Sequence, residues 1–170
     1  MKSILFLAAL LMTSVMFAQQ DKSKRPSPPA LVKETLNTGQ TISIDYSQPA
    51  VKGRTIGEDL ELFPGRVWRT GANEATVFET DMDVKVEGKL LPAGKYGLFS
   101  IMDEDDWTII FNKTWNQWGA FNYKEDDDAL RVKVKGVKAP EFYERMTFTI
   151  SKDEKVSLLW GYIEVDFKVE

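Results

Sequence analysis

The sequence contains no cysteine and no histidine among its 170 residues. Without cysteine the chain forms no disulfide, so core burial and hydrogen bonds must stabilise it. Histidine is the commonest general base and a common transition-metal ligand. Its absence excludes Ser-His-Asp hydrolysis, Cys-His chemistry, and zinc or copper sites built on His or Cys. We expect no cofactor and no zinc or copper site, and any catalytic acid or base must be a carboxylate, a Lys or a Tyr.

A secretory signal peptide is predicted over residues 1–18. Lys2 gives a basic start, an apolar stretch runs from Ile4 to Val15, and Ala18 supplies a small residue for cleavage. The apolar stretch is too short to span a bilayer, and no later segment approaches the necessary length. We expect cleavage near Ala18, a periplasmic or extracellular mature protein, and no transmembrane segment after cleavage.

The charge of the chain is mildly negative, with a formal net charge of −4. Removal of residues 1–18 deletes Lys2 and no acidic residue, which leaves 21 basic and 26 acidic side chains, or −5. Binding to phosphate backbones or anionic lipid depends on a basic surface. The charge balance therefore argues against nucleic acid as a partner.

Alternation of apolar and polar residues with period two dominates the chain after a polar, Pro-rich stretch. That stretch, residues 19–29, is predicted to be a disordered linker, and residues 30–170 a single domain. Turn residues separate the alternating runs, and no long segment shows helical periodicity. Roughly eight short strands predict an all-β fold, a single antiparallel β-sandwich, with a closed barrel as the alternative. The expected strands lie around 42–46, 74–80, 84–87, 96–101, 107–111, 130–134, 146–150 and 163–169.

The segment WNQWGAFNY brings four aromatic rings and three amides into a stretch that follows the apolar run DWTIIFN. Exposed rings lose hydrophobic free energy unless something covers them. Either the segment folds back so that its rings plug an open end of the sandwich, or the rings line a cleft in which a sugar or another flat ligand stacks. The amides suit both arrangements, because they bond irregular backbone as readily as ligand hydroxyls. The candidate ligand-binding residues here are Trp115, Asn116, Gln117, Trp118 and Tyr123.

A second candidate is the segment WRTGANE, between a Pro-Gly turn and a predicted strand. Arg69 offers a planar fork to a carboxylate or phosphate, Asn73 can donate and accept hydrogen bonds, and Trp68 can present a flat face. Alternatively, Trp68 fills the core, Arg69 pairs with an acidic neighbour such as Glu74, and Asn73 bonds the backbone of a turn. If the segment binds a ligand, we expect it to converge with the aromatic segment at one end of the fold, with Arg54 as a further candidate.

Two acidic runs, Asp103–Asp106 and Glu125–Asp128, fall in predicted turns. Carboxylates from two loops can meet around calcium, which takes about six to eight oxygen ligands. The spacing lacks the Gly and the final Glu of a helix-loop-helix calcium loop, and charge runs in turns are usually solvated. The two runs are therefore predicted to be solvated turns rather than a metal site.

Four stretches resemble one protein family. They are ISIDYSQPAVKGRTI (42–56), VWRTGANEAT (67–76), LPAGKYGLFSI (91–101) and WTIIFNKTWNQWGAFNYKEDDDALRVKV (107–134). These motifs are similar to those of the family catalogued as domain of unknown function 2911, and the resemblance covers nearly all of the mature chain. It implies a secreted bacterial protein with a mostly β domain. It carries over no activity and no catalytic or ligand residue.

A binding function is predicted, because a rigid β scaffold with Trp-bearing and Arg-bearing loops can bind a ligand without His or Cys. The expected partner is a small molecule or glycan of unknown identity. One alternative is a structural or interaction subunit of an envelope assembly, whose exposed rings would cover a flat patch. A further alternative is glycoside hydrolysis by two carboxylates. Glu74 is the first candidate for that role, and the second carboxylate cannot be chosen from the sequence.

Overall fold

The computed structural model describes residues 21–170, which form an almost entirely antiparallel β structure. The helices in this part of the chain are two short 3-10 turns, Lys22–Lys24 and Glu125–Asp127. No helix within residues 21–170 has the length and apolar character needed to cross a bilayer. The predicted all-β, antiparallel fold is confirmed. The strands are β1 (Pro29–Thr35), β2 (Thr41–Ser47), β3 (Thr76–Thr80), β4 (Val84–Val86), β5 (Lys89–Leu91), β6 (Gly94–Asp103), β7 (Asp106–Asn112), β8 (Asp128–Ile150) and β9 (Lys155–Lys168).

Seven strands form one sheet in the order β1-β2-β3-β6-β7-β8-β9, while β4 and β5 form a separate hairpin. The large sheet curls into a half-barrel that does not close, so the closed-barrel alternative is not what forms. The long strand β8 spans much of the curl. It pairs with β7 up to Lys135 and with β9 from Gly136 onward, and its register shifts beyond Lys138. The strands predicted around 130–134 and 146–150 are therefore two parts of one strand.

Period-two alternation directs one face of each strand into the main core. On β2, Ile42 and Ile44 are fully buried, whereas Asp45 faces outward and is exposed. The core is closed by the far end of β8, where the backbone N–H of Phe148 donates to the hydroxyl of Tyr46 at 3.0 Å. The rings of the same two residues meet edge to face, with centroids 5.0 Å apart. The curl of the sheet thus packs β8 against β2 across the core.

The outer face of the sheet buries a second, smaller cluster on β6 and β7. Phe99 and Ile110 are fully buried there, together with Ala75. Ala120 and Tyr123 pack over them from the segment that follows β7. Burial on both faces explains the unbroken apolar run in β7 that the sequence shows. Part of the aromatic segment therefore covers a face of the sheet rather than an open end.

Residues 21–28 fall in the segment expected to be a disordered linker, and they pack along the outside of the β structure. The amide of Gln48 donates to the carbonyl of Pro28 at 2.9 Å, and Asn73 Nδ2 donates to the carbonyl of Ser27 at 3.0 Å. The segment differs from the expected linker because its backbone carbonyls find donors on the strands and loops beneath it.

Candidate functional site

A groove on the outer face of β1, β2 and β3 is the candidate ligand site. It consists of two adjoining cavities of about 250 and 300 Å³. Asp45, Val77 and Trp115 line both cavities, so the two form one depression that we call the outer groove. Its other polar and charged lining residues are Lys22, Ser47, Glu74 and Asn116 in the first cavity and Lys33, Ser43, Glu79 and Lys95 in the second.

Strand register builds the floor of the outer groove. Asp45 on β2 pairs with Val77 on β3, and Val77 pairs with Gly97 on β6. A Cβ atom on Gly97 would lie only 3.3 Å from the carbonyl oxygen of Thr114. Because Gly97 has no side chain, the segment after β7 can descend onto the sheet at this point. Trp115, the next residue, thereby becomes a wall of the groove.

Residues 113–124, which we call the aromatic loop, are held in place by buried polar contacts. The side chain of Gln117 is buried, and its Nε2 donates to the carbonyl of Thr114 at 2.6 Å. Its Oε1 accepts from the amide of Asn122 at 3.2 Å, and its carbonyl accepts from the amide of Ala75 at 3.0 Å. Gln117, a predicted ligand-binding residue, instead satisfies the backbone of its own loop.

Tyr123 anchors the end of the aromatic loop to β8. Its hydroxyl donates to Asp128 Oδ2 at 2.9 Å and accepts from the guanidinium of Arg131. Its ring packs on Phe99, with centroids 5.1 Å apart. Burial, together with the hydrogen bond to Asp128, raises the pKa of Tyr123 to about 12. The phenol therefore stays neutral at ordinary pH and acts as an anchor outside the outer groove.

Trp115 and Asn116 are the part of the aromatic loop that lines the outer groove. The Trp115 side chain is 38% exposed, and the Lys95 ammonium lies 5.5 Å from its ring centroid. A cation over an aromatic face is attracted to it and orients the ring. Asn116 is exposed beside the ring and lines the first cavity. The loop thus offers one flat apolar surface and one amide to the groove.

Two carboxylates, Asp45 and Glu74, line the first cavity together. Arg25 Nη1 donates to both oxygens of Glu74 at 3.0 and 2.8 Å, and Lys22 Nζ lies 3.0 Å from Oε1. Burial opposes the ionisation of Glu74, but hydrogen bonds from its own amide, Lys22 and Arg25 outweigh burial and hold its pKa at about 2. Asp45 is exposed as a residue, but desolvation of its carboxyl group raises its pKa, and the charge of Lys22 opposes that rise. The cavity therefore sets a firmly ionised carboxylate beside one that binds a proton more readily.

Trp68 lies in the main core, which corrects its expected place on a binding surface. Its side chain is 3% exposed and stacks on Trp160, with ring centroids 5.7 Å apart. Its Nε1 donates to the carbonyl of Gly71 at 3.1 Å, so the polar edge of the indole is satisfied inside the protein. Of the two alternatives left open by the sequence, Trp68 follows the one in which it fills the core.

Arg54 and Arg69 also lie away from the outer groove. Arg54 donates to the carbonyls of Val51 and Ala50 at 3.1 and 2.8 Å, so it closes its own turn. Arg69 Nη1 lies 3.6 Å from Glu61 Oε1, and Arg69 lines a separate cavity. Neither arginine joins the groove-lining residues.

Asn73 and Trp118 stand next to Glu74 without lining the outer groove. Asn73 adopts a left-handed backbone with φ 60°, and its side chain bonds the carbonyl of Ser27. Trp118 forms an isolated β-bridge with Glu74 and is 54% exposed, with the Arg25 guanidinium 5.9 Å from its ring. The two predicted segments thus do meet, but only Glu74, Trp115 and Asn116 among the predicted residues face the groove.

Sequence reasoning missed Asp45, Ser47, Lys22 and Lys95 as groove residues. The alternation of β2 already directed Asp45 outward, and that was the available signal. Lys22 had no such signal, because it precedes the first predicted strand.

Three residues of the acidic runs, Asp106, Glu125 and Asp128, form ion pairs with basic side chains. Asp106 Oδ1 lies 2.6 Å from Lys135 Nζ, and Asp128 Oδ2 lies 2.6 Å from Arg131 Nε. Residues 21–170 contain no group of three or more acidic side chains placed to hold a metal ion.

Comparison with known proteins identifies one family. The family described as "Protein of unknown function (DUF2911)" matches residues 27–169, which include most of the outer groove and all of the aromatic loop. No curated protein and no solved structure matches the chain. The match agrees with the four stretches that suggested this family from the sequence. The chain therefore belongs to the DUF2911 family.

Proposed function

We propose that this DUF2911 protein is a binding module that takes a neutral glycan in the outer groove. The observation that carries the proposal is the position of Trp115, a partly exposed indole shared by both cavities and flanked by polar side chains. A sugar ring has an apolar C–H face that can stack on an indole and a rim of hydroxyls that bond carboxylates and amides. The groove supplies both kinds of surface.

The charges of the outer groove favour a neutral ligand. Three acidic and three basic side chains line it, so its formal net charge is zero. A polyanion would need an excess of basic residues. Hydroxyl groups, in contrast, can donate to the carboxylates and accept from the ammonium groups. These charged residues are Asp45, Glu74, Glu79, Lys22, Lys33 and Lys95.

The shape of the outer groove favours a small ligand over a protein partner. The two cavities, of about 250 and 300 Å³, together reach the size of ordinary ligand pockets, which is about 300–1,000 Å³. An interaction subunit of an envelope assembly would instead present its rings on a flat patch. Because Trp115 forms the wall of a concavity, glycan binding is the stronger candidate.

The test is a calorimetric titration with neutral oligosaccharides such as cellohexaose, mannohexaose, xylohexaose and chitohexaose. We expect at least one to bind saturably. Trp115→Ala should weaken that binding by about tenfold, which corresponds to about 1.4 kcal/mol. Trp118→Ala is the matched control, because this exposed tryptophan of the same loop lines no part of the groove. The affinity of Trp118→Ala for the oligosaccharide should stay within about twofold of that of the natural protein.

Two results would contradict glycan binding in the groove. One is the absence of saturable binding by any neutral oligosaccharide tested. The other is an equal loss of affinity in the Trp115→Ala and Trp118→Ala variants, since that would place the ligand outside the groove.

Glycoside hydrolysis is a second candidate, because Asp45 and Glu74 line one cavity with pKa values displaced in opposite directions. A pair of carboxyl groups separated in this way can divide the roles of proton donor and ionised base or nucleophile. Incubation with the same oligosaccharides should then release new reducing ends, and Asp45→Asn should abolish that release while the oligosaccharide still binds. Unchanged oligosaccharides after incubation with the natural protein would reject hydrolysis and leave the binding proposal intact.

The proposal also includes export. The predicted signal peptide, residues 1–18, lies outside the described residues. Cleavage near Ala18 would release the mature chain into the periplasm or outside the cell, where glycans are met. Mass spectrometry of the protein from the native host should show a mature chain that begins near Gln19. A mature protein that retains Met1 would contradict this.

A further inference from the structure

A separate cavity, outside the outer groove, lies where residues 61–69 meet the aromatic loop at Ala120 and Phe121. Its volume is about 250 Å³, and Phe63, Arg66 and Arg69 are among its walls. We propose that this cavity, which we call the arginine pocket, binds a small organic carboxylate with an aromatic body. It shares no lining residue with the outer groove, so the two sites can be tested separately.

Arg69 provides the anchoring charge of the arginine pocket. Its side chain is 22% exposed, and its Nε is buried with no hydrogen-bond partner. The nearest carboxylate, Glu61 Oε1, stands 3.6 Å from Nη1, which is too far for a direct hydrogen bond. Burial lowers the pKa of Arg69, and Glu61 opposes the shift. A ligand carboxylate in the pocket would approach the terminal nitrogens of the partly exposed Arg69 guanidinium, because Nε itself is sealed from solvent.

Arg66 adds a second positive charge to the pocket. Its guanidinium lies 5.5 Å from the ring centroid of Phe63, and within residues 21–170 it forms no salt bridge. With Glu61 as the acidic wall residue, the pocket carries one net positive charge on a chain whose overall charge is −4. An anion is therefore the complementary ligand, and the planar forks of two arginines match a carboxylate.

Phe121 provides an apolar surface at the same pocket. Its side chain is 82% exposed, and its ring lies against Gly119, where an added Cβ would be 3.1 Å from two ring carbons. Gly119 has φ +63°, a backbone conformation that favours glycine. An aromatic ring that is left uncovered regains hydrophobic free energy when a ligand packs on it. The pocket thus matches a ligand with a carboxylate at one end and an apolar body at the other.

The backbone beside the pocket is strained, which supports a binding role. Leu62 is buried yet adopts φ 96°, in a region that residues other than glycine rarely occupy. Its neighbours Glu61 and Phe63 both line the pocket. Strain of this kind persists where the surrounding structure imposes it, and it concentrates at ligand sites.

The test is a calorimetric titration of the full mature chain with phenylacetate. Phenylacetamide and acetate are the comparison ligands, because the first lacks the charge and the second lacks the ring. We expect phenylacetate to bind saturably and both comparison ligands to bind at least about tenfold more weakly. Arg69→Met should reduce phenylacetate affinity by about tenfold or more. Arg54→Met, which removes an arginine that lines no part of the pocket, should change it by less than about twofold.

Folding of each variant is checked by circular dichroism, and Arg66→Gln, at an exposed position, replaces Arg69→Met if the latter unfolds. The proposal is overturned if phenylacetate does not bind, if phenylacetamide binds equally well, or if Arg69→Met, or Arg66→Gln in its place, binds phenylacetate as well as the natural protein. Oligosaccharide titration of the same variants should give unchanged affinities. Failure at the arginine pocket and failure at the outer groove are thereby distinguished.

Discussion

Among single residues, the stacked pair Trp68 and Trp160 shows how the hydrogen bonding of one polar atom changes what a buried indole contributes to stability. The two indoles are 3% and 1% exposed and lie nearly parallel, with 13° between their planes. Trp68 Nε1 donates to Gly71, whereas Trp160 Nε1 is buried without a partner. The pair shares apolar surroundings but differs in hydrogen bonding.

This difference predicts unequal effects of the same substitution. Trp68→Phe breaks a buried hydrogen bond, while Trp160→Phe removes a donor that had no acceptor. We expect Trp68→Phe to lower the free energy of unfolding by about 1–2 kcal/mol more than Trp160→Phe. Urea denaturation followed by far-ultraviolet circular dichroism measures both values. Equal losses, or a larger loss for Trp160→Phe, would show that the hydrogen bond to Gly71 contributes nothing net.

Residue roles were the hardest feature to predict from the sequence. Trp68 and Trp115 both sit in motifs rich in polar residues, yet one is core and the other lines a groove. What separates them is the distant partner Trp160, which stacks on Trp68 and has no counterpart at Trp115. Local sequence carries no information about such a partner. The alternation of β2 predicts that Asp45 faces outward. Nothing in the local sequence indicates that the aromatic loop forms a groove with it.

At the scale of elements, Gly97 controls how closely the aromatic loop approaches the sheet. An added Cβ would lie 2.7 Å from a Phe99 ring carbon and 3.3 Å from the carbonyl oxygen of Thr114. A valine at this position would therefore displace the aromatic loop from β6 and disturb the smaller buried cluster around Phe99 and Ile110. We expect Gly97→Val to reduce stability by about 1–3 kcal/mol, the usual cost of overpacking. Acrylamide quenching should also show more tryptophan exposure.

The control for this prediction is Gly39→Val, a glycine in the turn between β1 and β2. A Cβ there meets nothing within 4 Å, although its φ of +103° also strains a substitution. Gly39→Val should therefore lower stability without changing tryptophan quenching. The same quenching in Gly97→Val and the natural protein would contradict a role for Gly97 in placing Trp115.

Strands were the feature that sequence patterns predicted best, because alternation with period two is a local property. β2 and the second half of β9 appear where the alternation is clearest. The pattern missed β1, which begins at Pro29 in a stretch whose composition suggested a linker. It also divided β8 in two, because the register shifts between Lys138 and Thr147 interrupt the alternation.

At the scale of the whole molecule, the outer groove unites parts of the chain that are far apart in sequence. Lys22 comes from the segment before β1, Asp45 from β2, Glu74 from the approach to β3, and Trp115 from the loop after β7. The fold class and the family could be predicted because they depend on patterns and motifs spread along the chain. The outer groove could not be predicted in this way, because it depends on how the curled sheet places outward-facing residues of separate strands and loops next to one another.

The ion pairs of Glu74 join the segment before β1 to the rest of the molecule, and they predict a pH dependence. The folded pKa of Glu74, about 2, lies below the ordinary value of 4.5. A lowered carboxyl pKa stabilises the folded state above the unfolded pKa, and this contribution is lost as the pH falls through the folded pKa. The natural protein should therefore exceed Glu74→Gln in stability above pH 4.5. The difference should shrink between pH 4.5 and 2.

The Glu74 side chain is 40% exposed, so solvent screening limits the difference; we expect about 0.5–1 kcal/mol at neutral pH. Urea denaturation at a series of pH values measures it. Glu79→Gln is the matched control, because among residues 21–170 Glu79 forms its salt bridge with one lysine, Lys95, at 3.3 Å and forms none with the segment before β1. A pH-independent difference for Glu74→Gln, or an equal pH-dependent one for Glu79→Gln, would mean that Lys22 and Arg25 do not hold the segment through Glu74.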